Sequence, residues 1–466
     1  MSNTPSDSHN RISTVEKIAY GSGDSASNFF FHTFNIFLLS YYVDVFGLTA
    51  AAVGTMFLVT KLVDAFTDII MGMVADRTKT RWGRFRPWIL WMAIPYGIIG
   101  YSMFANPDLS SNGKLIYAYL TYSLMMLVYT AINVPYSSLL GVISPHSNER
   151  TSLSTYRFVM AFLAQLLISA FVIPLKNLLG GENEALGYQL TMAIFAFLSI
   201  ALWMFTFAST RERVPVSPTQ SKDLKGDLKV LLRNGPWLAL VVCGLFTLMM
   251  VAVRGGATLF YMKYYAQVDS EPVFWIFDKT SLFFMGGTAS MVVGAAFTKL
   301  LTRFFSKKSL MLGLFGLHGL MLGLFFFIPP EMYWTMLIVN TIATLINGPT
   351  PAIVWSMYAD VADYGEWKFH RRTTGLVFSG VIFSHKTGLA IGAGLSGWIL
   401  SWFGFIANQP QSDMAIFGIR FMFTIVPFLL LMIATAAILF YKINTPLLRQ
   451  IESDLEARRS NDPTRT

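Results

Sequence analysis

Long apolar blocks recur along the whole chain, separated by short polar stretches. A helix that crosses a bilayer needs roughly 17–25 mostly apolar residues. The blocks that approach or reach that length are Ile18–Tyr42, Ala50–Val74, Trp88–Phe104, Leu115–Val142, Phe158–Leu175, Leu190–Thr206, Trp237–Met262, Phe274–Phe297, Leu310–Ile328, Tyr333–Tyr358, Val377–Phe403 and Ile416–Tyr441. In hydrocarbon every backbone amide must be satisfied internally, and strands would give a far weaker alternating signal, so the blocks read as helices. The pattern predicts an all-α polytopic membrane protein of about twelve transmembrane helices. Composition agrees: 54% of the 466 residues are hydrophobic and 13% charged, against about 25% charged in soluble domains.

The longest internal polar segment, Thr210–Lys229 (TRERVPVSPTQSKDLKGDLK), divides the spans six and six. The expected organisation is an N-terminal six-helix bundle over 1–209, a connector over 210–235, a C-terminal six-helix bundle over 236–442 and a tail over 443–466. The net charge of +9 does not point to nucleic acid, because of where it sits. Arg77, Lys79, Arg81, Arg84 and Arg86 fill the second inter-helix loop, and Arg211, Arg213, Lys222, Lys225, Lys229 and Arg233 the sixth. Arg303, Lys307, Lys308, Lys368, Arg371 and Arg372 follow in later even-numbered loops. The odd-numbered loops hold Lys114, Lys176 and Lys263 against six acids. The positive-inside rule therefore places both termini in the cytoplasm and membrane lipid around the spans. The lone cysteine, Cys243, lies in an apolar run and reads as inert packing. The polar N-terminus lacks a signal-peptide pattern, and after Tyr441 a cytoplasmic helix is expected to start and give way to disorder.

Two six-helix halves joined by a cytoplasmic connector resemble the major facilitator superfamily. In that fold substrate sits between the halves near mid-membrane, and the halves rock to give alternating access. A faint echo between halves exists in the basic loop after the second span and TKLLTRFFSKKS after the eighth.

The second span carries Lys61, Asp64 and Asp68 in an apolar run. The two carboxylates lie one turn apart, with Lys61 close to the same line. Each costs about 2.5–3.5 kcal/mol at bilayer depth, so the stripe must face the bundle or a wet cavity. Two readings meet that demand: an internal salt-bridge network, or a coupling-cation site. In the second, paired carboxylates supply hard oxygen ligands to Na⁺, or repel until one carries a proton.

VDAFTD with ADRTKTRWGRFRPW (Ala75–Trp88) closely resembles the signature of the glycoside–pentoside–hexuronide:cation symporters, of which the melibiose permease is a member. IAYGSGD, YYVDVFGL, VGTMFLV, YTAINVPY, YRF and ADVADYGEW extend the resemblance from the first span to the eleventh. The resemblance implies a cation site of Asp64, Asp68, Thr130 and Lys386, and places Arg157 near the sugar. Lys61 stands where the melibiose permease has arginine, and Asn28 and Asn133 where it grips a galactoside with two aspartates. Amides still hydrogen-bond hydroxyls, but α-galactoside specificity is not carried over. Arg254, deep in the seventh span, pairs with a protein carboxylate or recognises a sugar oxygen or uronate. Trp355 is the strongest candidate for stacking on a sugar ring, with Tyr129, Tyr136 and Phe378 behind it. Arg81, Arg84 and Arg86 either anchor to anionic lipid or pair with Asp360, Asp363 and Glu366 as a cytoplasmic gate, and the two are compatible. His32 and His385 are expected to hydrogen-bond neighbours, and His318 to pack.

No phosphate-binding glycine loop, metal-protease motif or nucleophile elbow is present, so the expectation is a transporter without cofactor rather than an enzyme. The function expected is Na⁺- or H⁺-coupled symport of a glycoside or short oligosaccharide across a bacterial inner membrane, by a monomer. The alternatives are an acidic-sugar symporter on the same mechanism, an amphiphile exporter of the same fold, or a membrane-embedded transferase or sensor.

Overall fold

The structure, a computed structural model, describes residues 12–144, 146–214, 229–268, 271–370 and 374–460. Arg371, Arg372, Lys222, Lys225, most of the expected connector and the first eleven residues lie outside them. The regular structure of the described residues is helical apart from a two-stranded hairpin, Pro272–Phe274 with Phe277–Asp278, and an isolated bridge between Thr80 and Gly83.

The first half contains α1 (Thr14–Thr33), α2 (Ala50–Arg77), α3 (Arg86–Ser102), α4 (Ser111–Ile143), α5 (Ser147–Gly180) and α6 (Glu184–Ser209). The second contains α7 (Gly235–Phe260), α8 (Lys279–Ala296), α9 (Thr298–Phe304), α10 (Lys307–Leu324), α11 (Tyr333–Asn347), α12 (Thr350–Phe369), α13 (Thr374–Trp402), α14 (Asp413–Phe423), α15 (Ile425–Leu439) and α16 (Thr445–Ser460). Among the described residues eight helical segments are long and apolar enough to cross a membrane, and nine if α8 and α9, bent by 46°, form one span. The first three helices are not among these segments, and α3 has 17 residues.

The chain folds into two compact units, Met1–Pro218 with Asp269–Met285, and Thr219–Val268 with Gly286–Thr466. The hairpin thus packs in the first unit, where Phe277 meets Phe171 at 5.7 Å and Phe284 meets Phe37 at 5.4 Å between ring centroids. In the first unit α1 packs on α5 and α6, and α3 on α4 and α6. In the second, α7 packs on α13 and α15, and α10 on α15 and α11. The first span therefore meets the fifth and sixth as the seventh meets the eleventh and twelfth. Close approach on the seventh rests on Gly388 and Gly392. A Cβ on either would lie 2.3 Å from the Leu245 carbonyl oxygen or 2.5 Å from that of Met249, the small-xxx-small packing that membrane helices use.

A second echo between halves is invisible in composition. The first span ends in a π-helical turn, Tyr41–Val45, and the seventh in another, Tyr261–Tyr265. Phe46 N donates to Tyr41 O and Leu48 N to Tyr42 O (2.8 and 2.9 Å); Ala266 N donates to Tyr261 O and Val268 N to Met262 O (2.9 and 3.2 Å). Between the paired donors, Gly47 and Gln267 both adopt positive φ, +85° and +46°. The tail forms a longer helix than expected. α16 buries Ile451 and Leu455, and its Asp454 Oδ2 accepts from Trp367 Nε1 at 2.8 Å.

The basic loop after α2 is built around Glu212. Its carboxylate accepts from the backbone amides of Arg84, Phe85 and Arg86 at 2.9, 2.7 and 3.0 Å, capping the positive end of α3. Gly83 turns the chain into this cradle at φ +110°, and a Cβ there would lie 2.3 Å from the Glu212 carboxyl carbon. The carboxylate can retreat only by giving up its three amides. Gly83→Ala is accordingly expected to destabilise the first unit by about 1–3 kcal/mol, read as a lower melting temperature in detergent. An unchanged melting temperature would show that the cradle does not hold the loop.

Candidate functional site

The three first-half residues of the expected cation site come together. Thr130 on α4 lies with Oγ1 2.7 Å from Asp64 Oδ1 and 2.9 Å from Asp68 Oδ1, both on α2. Asp64 and Thr130 are buried, and Asp68 is half-buried. Thr67 Oγ1 donates to the Asp64 carbonyl oxygen at 2.9 Å and lies 3.4 Å from its Oδ1. A hydroxyl carries one proton, so Thr130 donates to one carboxylate at a time. The other short oxygen–oxygen contact is favourable only with a proton on that carboxyl or a cation between the oxygens. Hard oxygen donors of this kind suit a small cation. Among the described residues no cluster of three His, Cys, Asp or Glu side chains forms a divalent-metal site. Lys61 is half-buried one turn before Asp64. Lys386 lies on α13, in the second unit.

Asn28, Asn133 and Arg157 belong to the first unit. Arg157 on α5 is ion-paired to Asp24 on α1 through Nε, with Nη2 to Oδ1 at 3.2 Å. Its guanidinium lies 4.8 Å from the Tyr136 ring centroid and 5.6 Å from that of Tyr20. Tyr136 OH is 2.6 Å from the Tyr20 carbonyl oxygen and 3.1 Å from Asp24 Oδ2. The Arg157 charge is therefore compensated within its own bundle. Asn28 Nδ2 donates to the Asp24 carbonyl oxygen (2.8 Å), and Asn133 Oδ1 accepts from Ser27 Oγ (2.9 Å). Tyr129 stacks on Phe31 at 5.7 Å. Asp24, Ser27 and Gln165 were not singled out in the sequence. Asp24 carried the same signal as Asp68, a carboxylate inside an apolar run.

In the second unit Trp355 is 41% exposed and stacks on Phe378 at 6.1 Å, with its edge toward Tyr358 and His385. His385 Nε2 hydrogen-bonds Tyr358 OH at 3.0 Å, and His32 Nε2 meets Ser169 Oγ at 3.3 Å, as expected of satisfied histidines. His318 is buried, and its Nδ1 has no partner among the described residues.

Arg254 is held by a backbone carbonyl and an amide rather than by a carboxylate. Nη1 donates to the Phe423 carbonyl oxygen and Nη2 to Asn340 Oδ1, both at 3.1 Å, while the guanidinium lies 4.2 Å from the Phe423 ring centroid and 4.9 Å from that of Phe325. The cause lies four residues past Phe423. Pro427 has no N–H, so the Phe423 carbonyl has no helical donor where the twelfth span breaks between α14 and α15. Arg254 supplies that donor. Arg254→Gln is expected to lower the melting temperature while leaving glycoside KM unchanged; a raised KM at unchanged stability would return the residue to the sugar site.

Of the expected gate residues, Arg86 donates to the Phe207 carbonyl oxygen at 2.7 Å, and Arg81 lies over the Trp82 ring at 4.4 Å. Asp360 Oδ2 accepts from Lys307 Nζ at 2.7 Å, inside the second unit. Arg84 enters through its backbone amide to Glu212. Just past α6, Arg213 grips Glu16 with both terminal nitrogens, at 2.7 and 2.8 Å. That hydrogen-bonded carboxylate pushes the Arg213 pKa up.

Residues 19–445 match the MFS/sugar transport protein family. The chain belongs to that family. It is a membrane sugar transporter of the major facilitator fold. The Inner membrane symporter YicJ of Escherichia coli (strain K12) is 37% identical over 95% of both chains. The isoprimeverose transporter of Lactiplantibacillus pentosus is 31% identical over 97% of this chain and 93% of that one. The glucuronide carrier protein homolog of Escherichia coli (strain K12) is 32% identical over 95% of each. Among solved structures, the nucleoside transporter NupG superposes with a TM-score of 0.63 at 14% identity, covering 92% of this chain and 100% of that one. At that identity the likeness establishes the fold alone.

Proposed function

We propose that the protein carries a glycoside into the cell by cation-coupled symport, with Asp64, Asp68 and Thr130 holding the coupling cation. The observation that carries this reading is the single Thr130 hydroxyl held within 2.9 Å of both carboxylates. Three oxygens so placed offer hard ligands to Na⁺, or an acceptor for a proton. Lys61 serves as the electrostatic stand-in when the cation is absent, and Lys386 is assigned to the cation site by the family resemblance. Asn28, Asn133 and Trp355 contact the sugar, two through amide groups and one through an aromatic face. Relatives named for isoprimeverose transport and glucuronide carriage support a glycoside as the substrate class.

A second reading, an acidic glycoside, draws on the glucuronide carrier homolog. It loses force at Arg157, whose charge Asp24 balances, and at Arg254, which is occupied at the twelfth-span break. A monomer in a bacterial inner membrane, with both termini cytoplasmic, completes the proposal. Its cytoplasmic face closes through Arg81, Arg84, Arg86, Asp360 and Asp363. For Arg86 and Asp360, closure exchanges bonds they hold within their own units.

The test is uptake into liposomes containing the full-length protein, with a Na⁺ or a proton gradient imposed separately. Accumulation of a p-nitrophenyl glycoside above the external concentration under one gradient supports the reading and names the ion. Equilibration without accumulation under both would reject coupling.

A further inference from the structure

The first and fifth spans meet along a polar seam. Asp24, Asn28 and His32 recur at one-turn spacing on α1, and each finds a partner on α5: Arg157, Gln165 and Ser169. The middle rung is the one beside the proposed sugar contact, and its polarity can be worked out from a backbone atom. Asn28 has one side-chain atom 2.8 Å from the Asp24 carbonyl oxygen. A carbonyl oxygen only accepts, so that atom is the amide nitrogen Nδ2. The Asn28 amide oxygen is then the atom 3.2 Å from Gln165, and Gln165 must present Nε2 as the donor. Of the two N–H groups and two lone pairs on Asn28, one of each is used, and one of each remains.

We propose that Gln165 is a positioning residue that sets sugar specificity. With the Asp24 carbonyl it clamps the Asn28 amide in one orientation, fixing which sugar hydroxyl meets a donor and which an acceptor. This rests on the reading of Asn28 as a sugar contact. Asn133 is held in the same manner, its Nδ2 donating to the Tyr129 carbonyl oxygen at 3.0 Å and its Oδ1 accepting from Ser27. The Asp24 and Tyr129 carbonyls fix which way round each amide sits. Gln165 then holds the Asn28 oxygen in place with a donor from the fifth span. The outer rungs, Asp24–Arg157 and His32–Ser169, hold the two helices together without the middle one.

The consequences differ by variant. Gln165→Leu removes the donor and leaves the Asn28 amide tethered only at its nitrogen, by the Asp24 carbonyl. Gln165→Glu places a carboxylate against an amide oxygen. Asn28 must then swing away, or flip and set its oxygen against the Asp24 carbonyl. Counterflow exchange in liposomes separates recognition from coupling, because it needs no cation gradient. The probes are p-nitrophenyl α- and β-glucosides, galactosides and xylosides, of which the first two differ in the orientation of one hydroxyl.

Gln165→Leu is expected to raise KM about tenfold, the worth of one hydrogen bond, and to blunt the glucoside–galactoside preference at little-changed maximal rate. Gln165→Glu is expected to raise KM further and to reorder the preference. Ser169→Ala, which removes an outer rung, leaves both unchanged. If wild type exchanges the glycosides and both Gln165 variants keep its KM and ranking, the residue is packing and the inference fails. If wild type exchanges none of the panel, the glycoside reading beneath it fails instead.

Discussion

Asp68→Asn is expected to abolish accumulation, leaving an inserted, folded carrier whose internal and external sugar concentrations level at a ratio of about 1. The argument starts from charge. Asp64 and Asp68 share the Thr130 hydroxyl, so an oxygen of each lies within 2.9 Å of the same atom. Replacing one carboxylate by an amide gives that hydroxyl a neutral neighbour, to which its remaining contact is an ordinary hydrogen bond. The pull on a cation falls by one charge in a low-dielectric setting, where that charge acts at closest range. Without the cation the sugar site loses its coupled partner, but its own contacts on α1, α4 and α5 remain. Exchange of labelled sugar across the membrane should therefore survive while gradient-driven uptake does not. Normal accumulation by the variant would remove the cation-site assignment.

Asp24→Asn should have the largest effect on the folded state. Asp24 and Arg157 are about four-fifths buried, joined by two hydrogen bonds, with Arg157 pressed against the rings of Tyr136 and Tyr20. Removing the carboxylate strands a guanidinium between two helices in hydrocarbon. The cost of breaking one side of such a pair is roughly 3 kcal/mol. The double variant Asp24→Asn/Arg157→Gln removes both charges and is expected to recover much of that loss. Melting temperatures of the purified single and double variants in detergent check it. Equal melting of wild type and Asp24→Asn would show that the pair contributes nothing to the fold.

The spans were legible because hydrocarbon tolerates only long apolar helices, and the carboxylate pair because two acids one turn apart in such a helix need a reason. Thr130 was legible only through family resemblance, since nothing in its neighbourhood of α4 announces a partner on α2. The π turns at Tyr41–Val45 and Tyr261–Tyr265 left no usable trace, because a slip in hydrogen-bond register changes no residue type. The bonds of Arg254 were not legible, because the carbonyl it meets is one that Pro427 leaves without a helical donor on a helix far along the chain. Gln165 shows the same limit: an amide pairing with an amide 137 residues away has no periodicity to read. Nothing around Glu212 marks the loop it holds, because the three amides and Gly83 lie more than 120 residues earlier in the chain.

The central claim is that sugar and cation stabilise one another's binding through Asp64, Asp68 and Thr130. Calorimetric titration of the purified protein with p-nitrophenyl glycosides, with and without Na⁺ and at two pH values, tests it most directly. The cation, Na⁺ or H⁺, is expected to tighten the glycoside by a certain factor, and the glycoside to tighten the cation by the same factor. Glycoside binding of equal strength under all four conditions would contradict it.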